Sequence, residues 1–252
     1  MDTSLNIALV GFGKFGKVYY KTLKKFKFKN IYIFKKNNSI KLNKKNLIKY
    51  NIDIGIVVTP MNTHYKISKI FIENKIPIIL EKPVSKNYNN IKKLDKLSKI
   101  FKSSILVNYS DLYNDCFREI INKKKKIKKF KNISLSFGKY NGEYKDKNFL
   151  PFFDWAPHII ATLLSISNNN MSFIVEKNKF LKKKKLFFQE IIIKFKSKNI
   201  NNGRIFFSNL SKKKTRLINI NTSNLNFFYD GVNKKNNFVQ KNGKKVFLKN
   251  SF

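Results

Sequence analysis

A short apolar strand over residues 5–10 runs straight into Gly11-Phe12-Gly13-Lys14-Phe15-Gly16, and no other stretch limits the fold of this chain as strongly. Beyond the glycines, Phe15, Val18, Tyr19, Leu23 and Phe26 recur at helical spacing, so the segment reads as strand, turn, helix. Each glycine has a distinct task in such a unit. Gly11 permits the tight turn, Gly13 lets backbone amides approach a pyrophosphate, and Gly16 lets the helix pack closely on the strand. The helix N-terminus then faces the anion.

The next strand, residues 31–34, ends where a site selective for NAD carries an acid on the ribose hydroxyls. Lys35 and Lys36 stand there instead, and two cations suit the 2′-phosphate of NADP. A buried parallel-type strand over residues 52–58 ends at Thr59-Pro60, where a residue without a donor stops the ladder. Asn62 or Thr63 is then expected to cap a helix carrying His64, Ile67, Ile70 and Phe71. His64 falls in its first turn; the plain alternative for a lone histidine is a structural one. Strand 76–80 delivers Glu81-Lys82-Pro83 at its C-terminal end, which is where open parallel sheets bind ligands. Lys82 is either a solvated surface lysine or a cation placed to meet substrate. Asn87 caps a helix bearing Ile91, Leu94, Leu97 and Phe101, and residues 104–108 form another strand. This alternation predicts an α/β fold, a doubly wound parallel sheet over residues 1–110.

From residue 111 the pattern changes. A short helix through 118–121, a strand near 133–137 and a helix over 154–167 are followed by strands at 187–195, 204–210, 217–222, 225–229 and 245–249. This predicts a second domain over residues 111–252, an α+β arrangement with a mostly antiparallel sheet. Asp154 is expected as N-cap of its helix with Pro157 in the first turn. Steps of about 100° set Ile159, Ile160, Leu163, Leu164 and Ile166 on an apolar stripe, with Asp154, His158, Thr162 and Ser165 opposite. His158 thus stands one turn from a carboxylate, and its ordinary pKa lies near neutrality. Asp154 could equally be no more than a cap.

A net charge of +40 would ordinarily raise nucleic acid as a partner, but the lysines run through every kind of segment and no nucleic-acid motif accompanies them. Specific nucleic-acid binding is therefore not expected. The only cysteine, Cys116, excludes an intramolecular disulfide and a thiolate zinc site, and a buried inert thiol is the plain reading. No metal site is expected. Residues 5–10 are too short for a signal core or a membrane span, so a soluble, cytoplasmic protein is expected.

Taken in order, the glycine turn, Thr59-Pro60 with His64, Glu81-Lys82-Pro83 and Asp154-Trp155-Ala156-Pro157-His158 resemble the glucose-fructose oxidoreductase and inositol dehydrogenase family, Gfo/Idh/MocA. The resemblance covers roughly residues 6–167. It implies reversible hydride transfer between NAD or NADP and a hydroxyl-bearing carbon of a sugar or sugar derivative. On that reading Lys82 polarises the oxygen, His158 is the general acid/base, and Asp154 orients the imidazole or binds a substrate hydroxyl. The implied cofactor site comprises Gly11, Phe12, Gly13, Lys14, Phe15 and Gly16, then Lys35 and Lys36, then Thr59, Pro60 and His64, with Glu81, Lys82 and Pro83. Lys82 and His158 would have to meet one substrate. The loop 138–153 would carry substrate contacts, and the open face of the second sheet would serve self-association. Ala156 replaces a usual glycine, Ala161 stands where a second acid often lies, and the chain ends at Phe252 without a late helical segment. These departures set the alternative: a catalytically inactive nucleotide-binding or regulatory protein.

Overall fold

The structure, a computed structural model, describes residues 3–35, 41–124, 127, 129–138, 151–167 and 170–248, with only the backbone at 115, 116, 120, 124 and 234. The chain divides into two compact units, Met1–Asn108 and Tyr109–Phe252. In the first, strands β1 (Asn6–Val10), β2 (Asn30–Phe34), β3 (Ile54–Val57), β4 (Ile78–Glu81) and β5 (Ile105–Asn108) alternate with helices α1 (Lys14–Lys25), α2 (Lys44–Lys49), α3 (Met61–Glu73) and α4 (Tyr88–Phe101). All strand pairs are parallel, in the order β2-β1-β3-β4-β5. Successive residues of β1 serve opposite faces. Ala8 and Val10 join a core with Phe71, Leu80 and Leu94, while Ile7 and Leu9 join Ile56 in a second core packed by Tyr19 and Leu23. A strand covered on both sides has no polar face to show, which is why it reads as an apolar run rather than as an alternation. Each large side chain so buried favours folding by about 1.5–3 kcal/mol.

Asn87 caps α4 as expected, its side chain accepting from the Asn89 amide at 2.8 Å. The cap expected from Asn62 or Thr63 does not form, because α3 begins at Met61 and both residues lie inside it. Pro60 fixes the entry to the helix, and the Thr63 hydroxyl turns back to lie 2.7 Å from the Thr59 hydroxyl and 2.7 Å from the Pro60 carbonyl.

The second unit opens with a 3-10 turn (Ser110–Tyr113) and α5 (Asp115–Lys124). It continues through β6 (Phe130–Gly138), α6 (Pro151–Ile166), β7 (Met171–Lys183), β8 (Leu186–Ser197), β9 (Ile200–Ser208), β10 (Thr215–Asn221), β11 (Leu225–Asp230), β12 (Phe238–Lys241) and β13 (Lys244–Phe247). These strands form one sheet in the order β13-β12-β11-β10-β6-β9-β8-β7, antiparallel throughout except for β6 against β9. Ile159, Leu163 and Ile166 of α6 pack with Phe137, Ile191, Phe195 and Phe207 of the sheet into the core of this unit. Two strands, β7 and β12, are absent from the sequence reading. β7 lies at the sheet edge and is exposed along nearly its whole length, so burial imposes no alternation on it; β12 is only four residues long.

α6 also departs from expectation. It starts at Pro151, so Asp154 sits in its first turn rather than capping it, and Pro157 lies inside the helix, where its missing N–H removes one backbone hydrogen bond. The buried arc is rotated from the expected stripe. Thr162 is fully buried, whereas Ile160 and Leu164 are exposed. Apolar content alone set the expected face, but the sheet below selects Ala156, Ile159, Thr162, Leu163 and Ile166. His158 is thereby drawn largely inside, its side chain 12% exposed. The side chain of Cys116, residue Lys36 and most of the loop 138–153 lie outside the described residues. Among the described residues, no helix is long and apolar enough to cross a membrane.

Candidate active site

In the order β2-β1-β3 the chain leaves β1 toward one side of the sheet and returns on the other, which opens a crevice beyond the C-terminal ends of β1 and β3. The glycine turn fills the β1 side of it. Gly11 has φ +99°, a left-handed conformation that a side chain resists, and a Cβ there would stand 2.7 Å from the Val58 carbonyl oxygen. Its N–H donates to Phe34 O at 2.9 Å, tying the turn to the end of β2. At Gly16 a Cβ would lie 2.2 Å from Gly11 O, so only glycine lets α1 start this close under the turn.

Gly13 differs from both. It is exposed, and a Cβ added there would meet nothing within 4 Å. It is the N-cap of α1, no side chain caps the helix, and its first amides are left for another acceptor. This open, uncapped helix start between two closely packed glycines fits the pyrophosphate of a dinucleotide. Lys14 and Phe15 follow on the exposed face, Phe15 being 62% exposed, while Phe12 packs edge-on against Tyr20 at 5.6 Å between centroids. At the end of β2, Phe34 is buried and Lys35, the residue after it, is exposed.

The ends of β3 and β4 are joined through His64. Its ring is buried, with Nε2 2.8 Å from Thr59 O and Nδ1 3.0 Å from Pro83 O, and the tautomer decides which of the two carbonyls accepts the ring N–H. His64 therefore holds the Thr59-Pro60 segment to the Glu81-Lys82-Pro83 segment from inside. Lys82, half-buried, follows β4 directly, and the Lys82–Pro83 peptide is cis.

Glu81 is engaged within its own unit. Its Oε1 accepts from the Tyr19 hydroxyl at 2.6 Å and from the Asn108 side-chain amide at 2.8 Å, which ties α1, β4 and β5 together. Burial, and then the Glu81 carboxylate, push the Tyr19 hydroxyl pKa well above its ordinary value of 10.0, with Asn108 pulling weakly the other way. The folded state thus keeps a proton that the unfolded chain would release. The stability this contributes is complete below about pH 10 and is lost as pH rises further through the folded value. Glu81→Ala is expected to leave both donors without their acceptor and to lower unfolding stability by about 1–3 kcal/mol, read as a lower denaturant midpoint with an unchanged slope. An unaltered midpoint would remove Glu81 from this supporting role.

In the second unit His158 meets a carboxylate that the sequence reading did not single out. Its Nδ1 lies 3.4 Å from Asp111 Oδ2. The same oxygen accepts from Arg216 Nη2 of β10. The Arg216 guanidinium in turn lies over two rings, 6.0 Å from the Phe137 centroid and 5.8 Å from that of Trp155. Asp154 sits one turn before His158 on α6 and is partly exposed. One signal in the sequence could have marked this group. Of the 54 basic residues only Arg118, Arg204 and Arg216 are arginines, and the planar fork of arginine suits a partly buried carboxylate as lysine does not.

Residues 5–109 match the Gfo/Idh/MocA oxidoreductase family, described as an NAD-binding Rossmann fold. No curated protein matches the chain in sequence. The fold is shared with solved oxidoreductases. An oxidoreductase from Sinorhizobium meliloti superposes with a TM-score of 0.78 at 13% identity, covering 97% of this chain and 77% of that one. Biliverdin reductase from Synechocystis, solved with biliverdin and NADP+, gives 0.73 at 12% identity and covers 98% of this chain and 85% of its own. A Gfo/Idh/MocA family oxidoreductase from Vibrio cholerae gives 0.71 at 11% identity, over 98% and 82%.

Proposed function

We propose, from a chain whose residues 5–109 belong to the NAD-binding Rossmann fold of the Gfo/Idh/MocA oxidoreductase family, that this protein is an NAD(P)-dependent oxidoreductase acting on a hydroxyl or carbonyl carbon of a sugar-like substrate. The observation that carries the reading is the turn itself: Gly11 and Gly16 packed against backbone, with Gly13 open between them. When bound, the dinucleotide supplies the hydride donor or acceptor, chemistry that no side chain can perform. Everything else falls to the chain. The amides at the start of α1 hold the pyrophosphate, and Lys35 faces the ribose end. Lys82 places an ammonium against the substrate oxygen as charge develops on it. His158 takes the hydroxyl proton in oxidation and returns it in reduction. Asp154 binds a neighbouring substrate hydroxyl or steadies the imidazole.

NADP is the favoured cofactor, because an exposed cation follows β2 where an acid would select NAD. Lys35→Glu is expected to weaken NADPH binding by about tenfold or more, about 1.4 kcal/mol, and to leave NADH within about threefold of its starting affinity. Quenching of protein fluorescence by each dinucleotide measures both. Equal losses for the two would mean that Lys35 does not read the 2′-phosphate. The substrate class is tested by turnover, following absorbance of the reduced nicotinamide with a panel of polyols, sugars and sugar nucleotides, with a linear tetrapyrrole added because biliverdin reductase shares the fold. Reduction of the tetrapyrrole alone would overturn the sugar assignment, and dinucleotide binding without turnover of any compound would favour a sensor.

A further inference from the structure

We propose that Tyr19 and Asn108 are positioning residues for Lys82: by fixing the Glu81 carboxylate they hold the end of β4 so that the Lys82 ammonium is presented to the substrate oxygen. Resting on the role given to Lys82 above, this adds two residues outside the motifs that suggested that role. All four lie in the first unit. Glu81 and Asn108 are the last residues of β4 and β5 and face each other in the parallel register, so their side chains leave the sheet on the same side. On that side α1 brings Tyr19. Its hydroxyl donates to Glu81 Oε1 at 2.6 Å, and the Asn108 side-chain amide donates to the same oxygen at 2.8 Å and to the Tyr19 hydroxyl as well. None of the three groups can turn without breaking two hydrogen bonds. Burial, and then the Glu81 carboxylate, raise the Tyr19 hydroxyl pKa, so it stays a donor throughout the neutral range. Lys82 leaves the sheet directly from this cluster, and on its other side Pro83 O lies 3.0 Å from Nδ1 of buried His64. Both chain neighbours of Lys82 are therefore engaged, Glu81 by α1 and β5 and Pro83 by α3. A solvated surface lysine needs no such restraint. A group that must meet a reacting oxygen does, because a displacement of about 1 Å can cost about a hundredfold in rate.

A tie that merely secures α1 to the sheet would cost stability on removal and leave Lys82 where it is. The two roles separate without any substrate, by trace acetylation of the folded protein with acetic anhydride and mass spectrometry of each lysine. In Tyr19→Phe, Lys82 is expected to acetylate at least about threefold faster relative to Lys44 and Lys45 on α2, because the end of β4 opens more often. Lys14, Lys17 and Lys21 on α1 report loosening of the helix itself. An unmoved Lys82, or one that rises only in step with the α1 lysines, overturns the proposal. With any compound of the panel that turns over, Tyr19→Phe is expected to lower kcat about tenfold or more while NADPH affinity stays within about threefold. In a Lys82→Ala background the same change should cost far less, since a residue that acts through Lys82 then has nothing left to position. Equal factors in the two backgrounds would contradict the assignment. Should Tyr19→Phe fold poorly, Asn108→Ala, which leaves the Tyr19–Glu81 bond in place, carries the same measurements with a smaller expected shift. Full kcat in Lys82→Ala would overturn the role of Lys82 itself, a failure distinct from an unmoved Lys82 label beside a slow Lys82→Ala enzyme.

Discussion

Lys82→Ala is expected to lower kcat by about a thousandfold or more while dinucleotide affinity stays within about threefold. The asymmetry follows from where the groups lie. The pyrophosphate is assigned to the amides at the start of α1, which a change after β4 does not touch, whereas Lys82 is assigned to the substrate oxygen, whose charge grows only on the way to the transition state. Each tenfold in rate is about 1.4 kcal/mol, so the expected loss of about 4 kcal/mol is the size found on removing one group that stabilises a developing oxyanion. Folding should be little affected, since Lys82 follows β4, is only half-buried and is not part of either core of its unit. Steady-state rates with the best substrate of the panel, set beside fluorescence titration of NADPH, measure the two quantities separately. Parallel losses in both would make Lys82 a binding group only.

The second large effect separates two glycines three residues apart. Gly16→Ala is expected to weaken the fold by about 1–3 kcal/mol and to abolish measurable dinucleotide binding, because the new methyl would stand 2.2 Å from Gly11 O and α1 must shift away from the turn. Gly13→Ala is expected to leave thermal stability within about 0.5 kcal/mol and still lower dinucleotide affinity by at least about tenfold. Its φ of −75° and ψ of −160° suit alanine, and nothing in the protein lies within 4 Å of the added carbon, so the methyl collides only with a ligand. Denaturant unfolding and NADPH titration on the same preparations suffice. A Gly13→Ala protein that binds normally would show that no phosphate approaches the turn there.

Much of the first unit was readable from the sequence because its constraints are local. The glycine turn must satisfy backbone sterics, β1 and β3 must be apolar on both faces, and Asn87 must cap α4, and each of these leaves a mark within a few residues. What is not legible has a common cause. The Glu81 partners Tyr19 and Asn108 lie 62 and 27 residues away, and pairing over that distance leaves no local pattern. The Asp111, His158 and Arg216 group is the same case. The buried face of α6 departs from its apolar stripe for a further reason: the shape of the sheet decides it, so Thr162 is buried and Leu164 is not. β7 escaped notice because an edge strand with both faces exposed need not alternate.

A crystal structure of the chain with NADP+ would show whether the dinucleotide lies in the glycine turn. The pyrophosphate is expected on the amides between Gly13 and Gly16, the 2′-phosphate beside Lys35, and the nicotinamide running toward the Glu81-Lys82-Pro83 segment. Density for the dinucleotide elsewhere, with those amides bonded only to solvent, would overturn that placement.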